Sequence, residues 1–78
     1  MDRELVKETV TELIRKIIDD DVEITEESGL MEDLDLSSLE IMTMIADIEQ
    51  EYQIVLGETE LRSMVSVGDI VDCICKSL

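Results

Sequence analysis

Apolar side chains recur at intervals of three and four residues in three separate stretches of this chain, and this spacing constrains its fold. Residues spaced in this way share one face of an α-helix, so each stretch predicts an amphipathic helix. The predicted helices cover residues 3–18, 38–52 and 67–78. Their apolar positions are, in chain order, Val6, Val10, Leu13, Ile14, Ile17 and Ile18; Ile41, Met42, Ile45, Ile48 and Tyr52; and Val67, Ile70, Val71, Ile74 and Leu78.

Short polar residues predict where these helices begin and end. Asp19-Asp20-Asp21 predicts the end of the first helix, because a helix C-terminus repels negative charge. Ser37 and Glu40 have the spacing of a capping box, in which the serine hydroxyl binds an amide of the first turn and the glutamate reaches back. Ser66 and Asp69 repeat this signature before the last helix.

The segment between the first two helices has no sustained period. Residues 22–37 place single apolar residues among acids, which predicts a long ordered loop anchored by Ile24, Leu30, Leu34 and Leu36. Connections longer than about 12 to 15 residues are uncommon in compact domains unless they are functional. This loop is therefore the first indication of a site.

A short helix over residues 58–64, after Gly57, completes the predicted elements. Ile54-Val55-Leu56 is the one strand-like run, and it is too short to compete. Helices with apolar stripes have only each other to pack against. We therefore expect an all-α fold: a four-helix bundle with three long helices, one short third helix and a long first loop, forming a single domain over residues 1–78.

Composition narrows the functions that such a bundle can have. The chain has 21 acidic against 6 basic residues, a net charge of −15, which disfavours nucleic-acid binding and docking on anionic membranes and favours basic protein partners. It lacks Phe and Trp, so the core must be aliphatic. A chain of this length should have a radius of gyration of roughly 11 to 12 Å, which leaves no room for a deep catalytic cleft.

The N-terminus and the hydropathy pattern predict the compartment. No apolar run approaches the ~20 residues that span a bilayer, and Met1-Asp2-Arg3-Glu4 does not resemble a signal peptide. We expect a cytoplasmic monomer without membrane insertion. Cys73 and Cys75 are two apart in a predicted helix, where they point away from each other, so we expect free, reduced thiols.

Autonomous catalysis and metal binding are not supported. The chain has no His, so Ser37 or Ser38 has no base to accept its proton, and two thiols cannot complete a zinc site. A calcium loop starting at Asp19 would have Ile24 where the turn glycine belongs. We therefore predict no enzyme activity, no catalytic residue and no metal.

The tandem serines have two interpretations. In most proteins such a pair is a helix cap with a solvated neighbour. At the positive end of a helix macrodipole, however, a phosphodiester on Ser37 or Ser38 would be stabilised by about 0.3 to 1 kcal/mol. The position suits a phosphate.

From about Ile24 to Ile74 the chain resembles the acyl carrier proteins and the related peptidyl carrier domains. Residues 24–34 are similar to the family's loop before its modified serine, and residues 35–40, Asp-Leu-Ser-Ser-Leu-Glu, lie where the family carries Gly-x-Asp-Ser-Leu. The resemblance selects Ser38 as the modified residue. Residues 48–52 resemble the acidic-aromatic end of the family's second helix, and residues 66–72 the start of its fourth.

Some positions depart from the family pattern. Asp35 replaces the usual Gly, and Ser37 replaces the usual Asp before the modified serine. On the second helix, Thr43 stands where many members have an acid and Ala46 where Met is common. These departures lie next to the attachment site and on the face that partners read.

The resemblance implies a carrier whose cofactor is 4′-phosphopantetheine, transferred from coenzyme A to Ser38 by a phosphopantetheinyl transferase. Its other partners would be acyl-loading and acyl-processing enzymes with basic docking patches. Residues 17–61 contain no Lys or Arg, which gives such patches a continuous negative field. The residues that we predict to contact partners are Asp35, Glu40, Met42, Glu49 and Glu58.

Two alternatives remain open. The cargo could be a fatty acid or polyketide intermediate, or instead an aminoacyl, peptidyl or D-alanyl group. The chain could also be a non-modified acidic adaptor whose serines serve only as caps.

Overall fold

The computed structural model describes residues 2–18 and 22–78, and the acidic run Asp19–Asp21, predicted to end the first helix, lies outside them. These described residues form four helices: α1 over Arg3–Ile17, α2 over Ser38–Tyr52, α3 over Glu58–Arg62 and α4 over Val67–Ser77. The predicted all-α bundle with a short third helix is confirmed. Within the described residues there is no strand, only an isolated bridge between Gly29 and Ser66.

Side-chain caps start the long helices. Both predicted capping boxes are present, on Ser37 with Glu40 at α2 and on Ser66 with Asp69 at α4. Asp2 caps α1 by accepting a hydrogen bond from the Glu4 amide at 3.0 Å. The predicted helix over 58–64 ends earlier, at Arg62, where the Ser63 amide turns back to bond carbonyls of α3.

One aliphatic core forms where α1 packs against α4 and α2. Its buried apolar residues are Val6, Val10, Ile14, Ile24, Leu30, Leu34, Leu36, Met44, Ile45, Ile48, Leu56, Met64, Val67, Ile70, Val71 and Ile74. The radius of gyration is 11.3 Å, in the range expected from the chain length. None of the helices in the described part of the chain is long and apolar enough to cross a membrane.

Two predicted core positions are wrong. Met42, placed on the apolar stripe of α2, is 58% exposed, whereas Met44 is fully buried with Ile45 and Ile48. The spacing of apolar residues does not fix which side of the helix is buried when apolar residues lie on both edges of the apolar stripe, as Met42 and Met44 do on α2. Leu78 is 51% exposed because α4 ends at Ser77 and Leu78 lies beyond its last turn.

The loop over residues 22–37 is held by backbone hydrogen bonds to the segment that starts α4. The Leu30 amide donates to the Val65 carbonyl at 2.9 Å, and the Gly68 amide donates to the Glu26 carbonyl at 2.9 Å. A Cβ on Gly68 would lie 3.0 Å from that carbonyl oxygen, a tighter contact than most Cβ atoms make, so this close approach favours glycine. All four predicted apolar anchors of the loop are buried, which confirms the long ordered loop.

Arg3 connects three parts of the bundle near the start of α1. Its guanidinium forms ion pairs with Glu26 in the loop and with Asp72 on α4. These hydrogen bonds, to Glu26 first and then to Asp72, raise the pKa of Arg3 above its ordinary value. The loop that leads to α2 is thus fastened to α1 and, through Arg3, to α4.

Candidate functional site at the start of the second helix

Ser37 and Ser38 have different roles in the first turn of α2. Ser37 is the cap: its Oγ accepts the Glu40 amide at 3.2 Å, and its own amide donates to Glu40 Oε1 at 2.9 Å. Ser38 is the first helical residue and is exposed. Among the contacts of residues 2–18 and 22–78, none is a hydrogen bond to the Ser38 hydroxyl, so this oxygen is available for chemistry.

The electrostatics of this turn favour a phosphate on Ser38. The first amides of a helix lack intrahelical partners and give its N-terminus a partial positive charge. Ser37 Oγ accepts the Glu40 amide, whereas the amides of Ser38 and Leu39 come before that of Ile41, which is the first to donate along the helix, to the Ser37 carbonyl. A phosphodiester attached here would meet these amides, so the residues present fit such a group.

Asp35 explains how the loop enters α2. Its φ is 54°, in the left-handed region that favours glycine and that Asp tolerates better than most residues. The turn lets Leu34 and Leu36, on either side of it, both bury their side chains, and the Leu36 amide donates to the Leu30 carbonyl at 3.0 Å. Asp35, which stands where the family pattern has Gly, therefore adopts a backbone conformation that suits glycine and adds an exposed carboxylate.

An apolar groove runs beside Ser38, between α2 and α3. It has a volume of about 330 Å³ and is lined by Met31, Ser38, Ile41, Met42, Leu61, Arg62 and Met64. A smaller groove of about 170 Å³ shares Met31, Ile41 and Met64 with it and continues toward Leu30 and Val65. Ser38, Ile41 and Met42 meet there because residues three and four apart share a helix face.

The predicted partner contacts occupy unequal environments. Asp35 and Glu58 are exposed. Glu40 and Glu49 are half-buried, and their carboxylates accept backbone amides, from Ser37 and from Leu56 respectively. The same two side chains therefore also hold the backbone in place.

The predicted partner-contact residues lie at different distances from Ser38. Met42 shares the groove with Ser38, whereas Glu49 lies 11 positions along the helix, roughly 16 Å further on at 1.5 Å per residue. Glu58 is the first residue of α3. The predicted partner residues are thus spread over the end of the loop, α2 and α3, and do not form one cluster around Ser38.

Arg62 is the residue of this site that sequence reasoning missed. It lies in the last turn of α3 and lines the groove with Ser38. One feature of the sequence could have drawn attention to Arg62: it is the one basic residue between Lys16 and Lys76. Arg62 is 24 residues from Ser38 in the sequence, so no local pattern indicates that the two residues line one groove.

Neither cysteine is among the residues that line these grooves. Cys73 and Cys75 are free thiols on α4, as predicted, and both are half-buried. Burial raises the pKa of the Cys73 thiol, and the negative charge of Glu60 raises it further. A thiol with a raised pKa is a weak nucleophile at neutral pH.

A four-helix bundle that presents a free serine hydroxyl at a helix start, beside an apolar groove, has the architecture of a prosthetic-group carrier. Comparison with known proteins agrees. A family model described as the phosphopantetheine attachment site matches residues 8–74. The chain belongs to this family, the acyl carrier proteins, whose cofactor is phosphopantetheine.

Individual relatives support this membership. Polyketide-8 synthase acyl carrier protein 2 of Streptomyces avermitilis is 36% identical over 75 residues, which cover 95% of this chain and 86% of the relative. An acyl carrier protein of Tropheryma whipplei is 33% identical, covering 90% of this chain and 92% of the relative. The solution structure of a holo acyl carrier protein from Geobacter metallireducens superimposes with a TM-score of 0.79 at 27% identity, over 92% of this chain and 84% of that one.

Proposed function

We propose that this chain carries acyl groups as thioesters on a 4′-phosphopantetheine arm attached to Ser38, for fatty acid, polyketide or related biosynthesis. The observation that supports Ser38 is the division of roles in the first turn of α2, where Ser37 is engaged as the cap and the Ser38 hydroxyl is exposed without a hydrogen bond among the described residues. The family match, which spans residues 8–74, includes this turn.

Attachment requires one bond to form and one to break. Ser38 Oγ would bond to the phosphorus that bears the pantetheine of coenzyme A, the phosphoanhydride bond would break, and adenosine 3′,5′-bisphosphate would leave. The hydroxyl proton must pass to a base, and no side chain among residues 2–18 and 22–78 bonds Ser38 Oγ. The transferase therefore supplies the base, and this chain supplies the exposed nucleophile.

The groove favours an aliphatic cargo over an aminoacyl one. Once bound, the arm supplies a terminal thiol that holds the acyl group. The walls beside Ser38 are mostly apolar, with Ile41, Met42 and Leu61 among them, and would gain from covering a hydrocarbon chain but would leave an ammonium group unpaired. Larger amide shifts of these residues on octanoyl loading than on D-alanyl loading, by heteronuclear NMR, would support the acyl cargo.

The partners are the transferase and enzymes that load or process the acyl group, and they would recognise this carrier by charge. The exposed carboxylates of Asp35 and Glu58 flank the start of α2 and of α3 in a stretch without basic residues. Such a field attracts basic patches quickly and releases them at moderate salt. Glu58→Lys should slow association with a basic partner, and the effect should diminish as salt is added.

Intact mass spectrometry tests the attachment residue. After incubation with coenzyme A and a broad-specificity transferase, the wild type should gain one phosphopantetheine. Ser38→Ala should gain none, and Ser37→Ala, which removes the neighbouring hydroxyl, is the matched control and should still be modified.

Other outcomes would contradict the proposal. Modification of Ser38→Ala would place the arm elsewhere. A wild type that is never modified would favour the non-modified acidic adaptor, and partner capture by the Ser38→Ala protein would then be equal to that of the wild type.

A further inference from the structure

We propose that Arg62 pairs with the phosphodiester on Ser38 and so directs the arm along the groove between α2 and α3. This rests on the proposed function, because the phosphodiester exists only if Ser38 is modified. Arg62 would act as a positioning residue and take no part in bond formation.

The positions of Arg62 and Ser38 support this pairing. Arg62 and Ser38 line the same groove of about 330 Å³, on opposite sides of the α2–α3 junction. A phosphate bonded to Ser38 Oγ extends from α2, and the long arginine side chain extends from α3. Both groups therefore project from the walls of one groove.

The second observation is that Arg62 lacks the partner that its own helix offers. Glu58 precedes it by four residues on α3, the spacing at which helical ion pairs normally form. Among the described residues, however, the ion pairs within 4 Å are both made by Arg3. In a chain with a net charge of −15, the guanidinium at the groove is available for another anion.

The third consideration is chemical. A guanidinium donates two parallel hydrogen bonds to two oxygens of one phosphate, a geometry that an ammonium group does not match. The flanking side chains Met42, Leu61 and Met64 are apolar and offer the guanidinium no competing acceptor. Fixing the phosphate between Ser38 and Arg62 would lay the next atoms of the arm on these apolar side chains.

The test compares the phosphorus resonance of the loaded protein in four forms: wild type, Arg62→Gln, Arg62→Lys and Lys16→Gln. Lys16 is the matched control, because it is a basic residue of α1 away from the Ser38 groove. It lies beside Asp47, Gln50 and Glu51, in the C-terminal half of α2. Intact mass confirms loading, and circular dichroism confirms the helical fold of each variant.

We expect the phosphorus resonance of Arg62→Gln to differ from that of the wild type, and the resonance of Arg62→Lys to lie between those of the wild type and Arg62→Gln. The resonance of Lys16→Gln should equal that of the wild type. The Arg62 Nε–H signal of the wild type should shift on loading, whereas those of Arg3 and Arg15 should not. At about 0.5 M salt the wild-type resonance should approach that of Arg62→Gln, since an exposed pair is screened.

Two results would overturn the pairing, and they are distinguishable. If the wild type is loaded but Arg62→Gln leaves the phosphorus resonance and the arm unchanged, the pairing is wrong and the proposed function stands. If the wild type takes no arm at all, the proposed function fails and the pairing fails with it.

Discussion

The carboxylate of Glu49, near the end of α2, accepts the backbone amide of Leu56 at 2.9 Å. The Glu49 carbonyl also accepts the amides of Gln53, which has a left-handed φ of 53°, and of Ile54 at 3.2 Å. One residue thus fixes the connection from α2 to α3 through both its backbone and its side chain. Since α3 forms one wall of the groove beside Ser38, this contact helps to set the width of the site.

Glu49 should therefore affect stability as well as partner binding. Glu49→Ala leaves the part-buried Leu56 amide without its acceptor and should cost about 1 to 2 kcal/mol in the free energy of unfolding, measured by urea denaturation. Glu49→Gln keeps an acceptor oxygen and should cost clearly less while removing the charge. Equal stability of Glu49→Ala and the wild type would show that the side chain serves only to meet partners.

The two serines should separate stability from modification. Ser37→Ala removes the hydroxyl that caps α2 and should lower the free energy of unfolding by about 1 kcal/mol. Ser38→Ala removes a hydroxyl without a described hydrogen bond and should change it by less than about 0.5 kcal/mol. Thermal unfolding of the unmodified proteins checks both values, and a larger loss in Ser38→Ala would reverse the assigned roles.

Asp69 should make stability depend on pH in the acid range. Hydrogen bonds from the Val65 and Ser66 amides lower its pKa below the ordinary value, so the charged form is favoured in the folded state. A group with a lowered pKa stabilises the fold above its unfolded pKa of about 3.9, and this contribution is lost as the pH falls through the folded value.

The difference in stability between the wild type and Asp69→Ala should consequently be full at pH 7 and shrink below about pH 4. Asp47→Ala, an exposed position on α2, is the control and should show little difference at either pH. A gap for Asp69→Ala that is constant from pH 7 to pH 2 would mean that the ionised carboxylate does not matter.

The methionines of α2 should differ sharply on truncation. Met44 is fully buried, so Met44→Ala should cost about 2 to 5 kcal/mol through lost burial and the cavity left behind. Met42 is 58% exposed, so Met42→Ala should cost less than about 1 kcal/mol. Denaturant unfolding would distinguish them, and a cost for Met42→Ala as large as that for Met44→Ala would place both residues in the core.

Added salt or magnesium should raise the melting temperature. The net charge of −15 on a bundle with a radius of gyration of 11.3 Å repels itself over distances comparable with the Debye length of ~10 Å at 0.1 M salt. Differential scanning calorimetry between about 0.01 M and 0.5 M NaCl measures the effect. A melting temperature independent of salt would argue against an extended surface of one sign.

Much of this protein could be predicted from the sequence because the signals are local. The helix over 38–52 and both capping boxes depend on residues at most four positions apart, whose geometry the helix itself fixes. The apolar anchors of the 22–37 loop could also be predicted, because single leucines and isoleucines among acids are the side chains of that loop that favour burial in the core. The family resemblance then pointed to Ser38.

Other features depend on distant parts of the chain meeting. The sequence analysis placed Met42 on the apolar stripe of α2, whereas in the folded chain Met44 is the methionine of this helix that is buried. A glutamate on a helix is read from sequence as solvated, yet the folded connection brings the Leu56 amide to Glu49.

The sequence by itself therefore determined the helices, their caps and the serine at the start of α2, because these follow from neighbours along the chain. The tertiary structure alone decided which face of α2 is exposed, that the Glu49 carboxylate accepts the Leu56 amide, and that Arg62 lines the same groove as Ser38. Those relationships depend on how α3 returns to α2, and no local pattern encodes the position of a helix 20 residues further along.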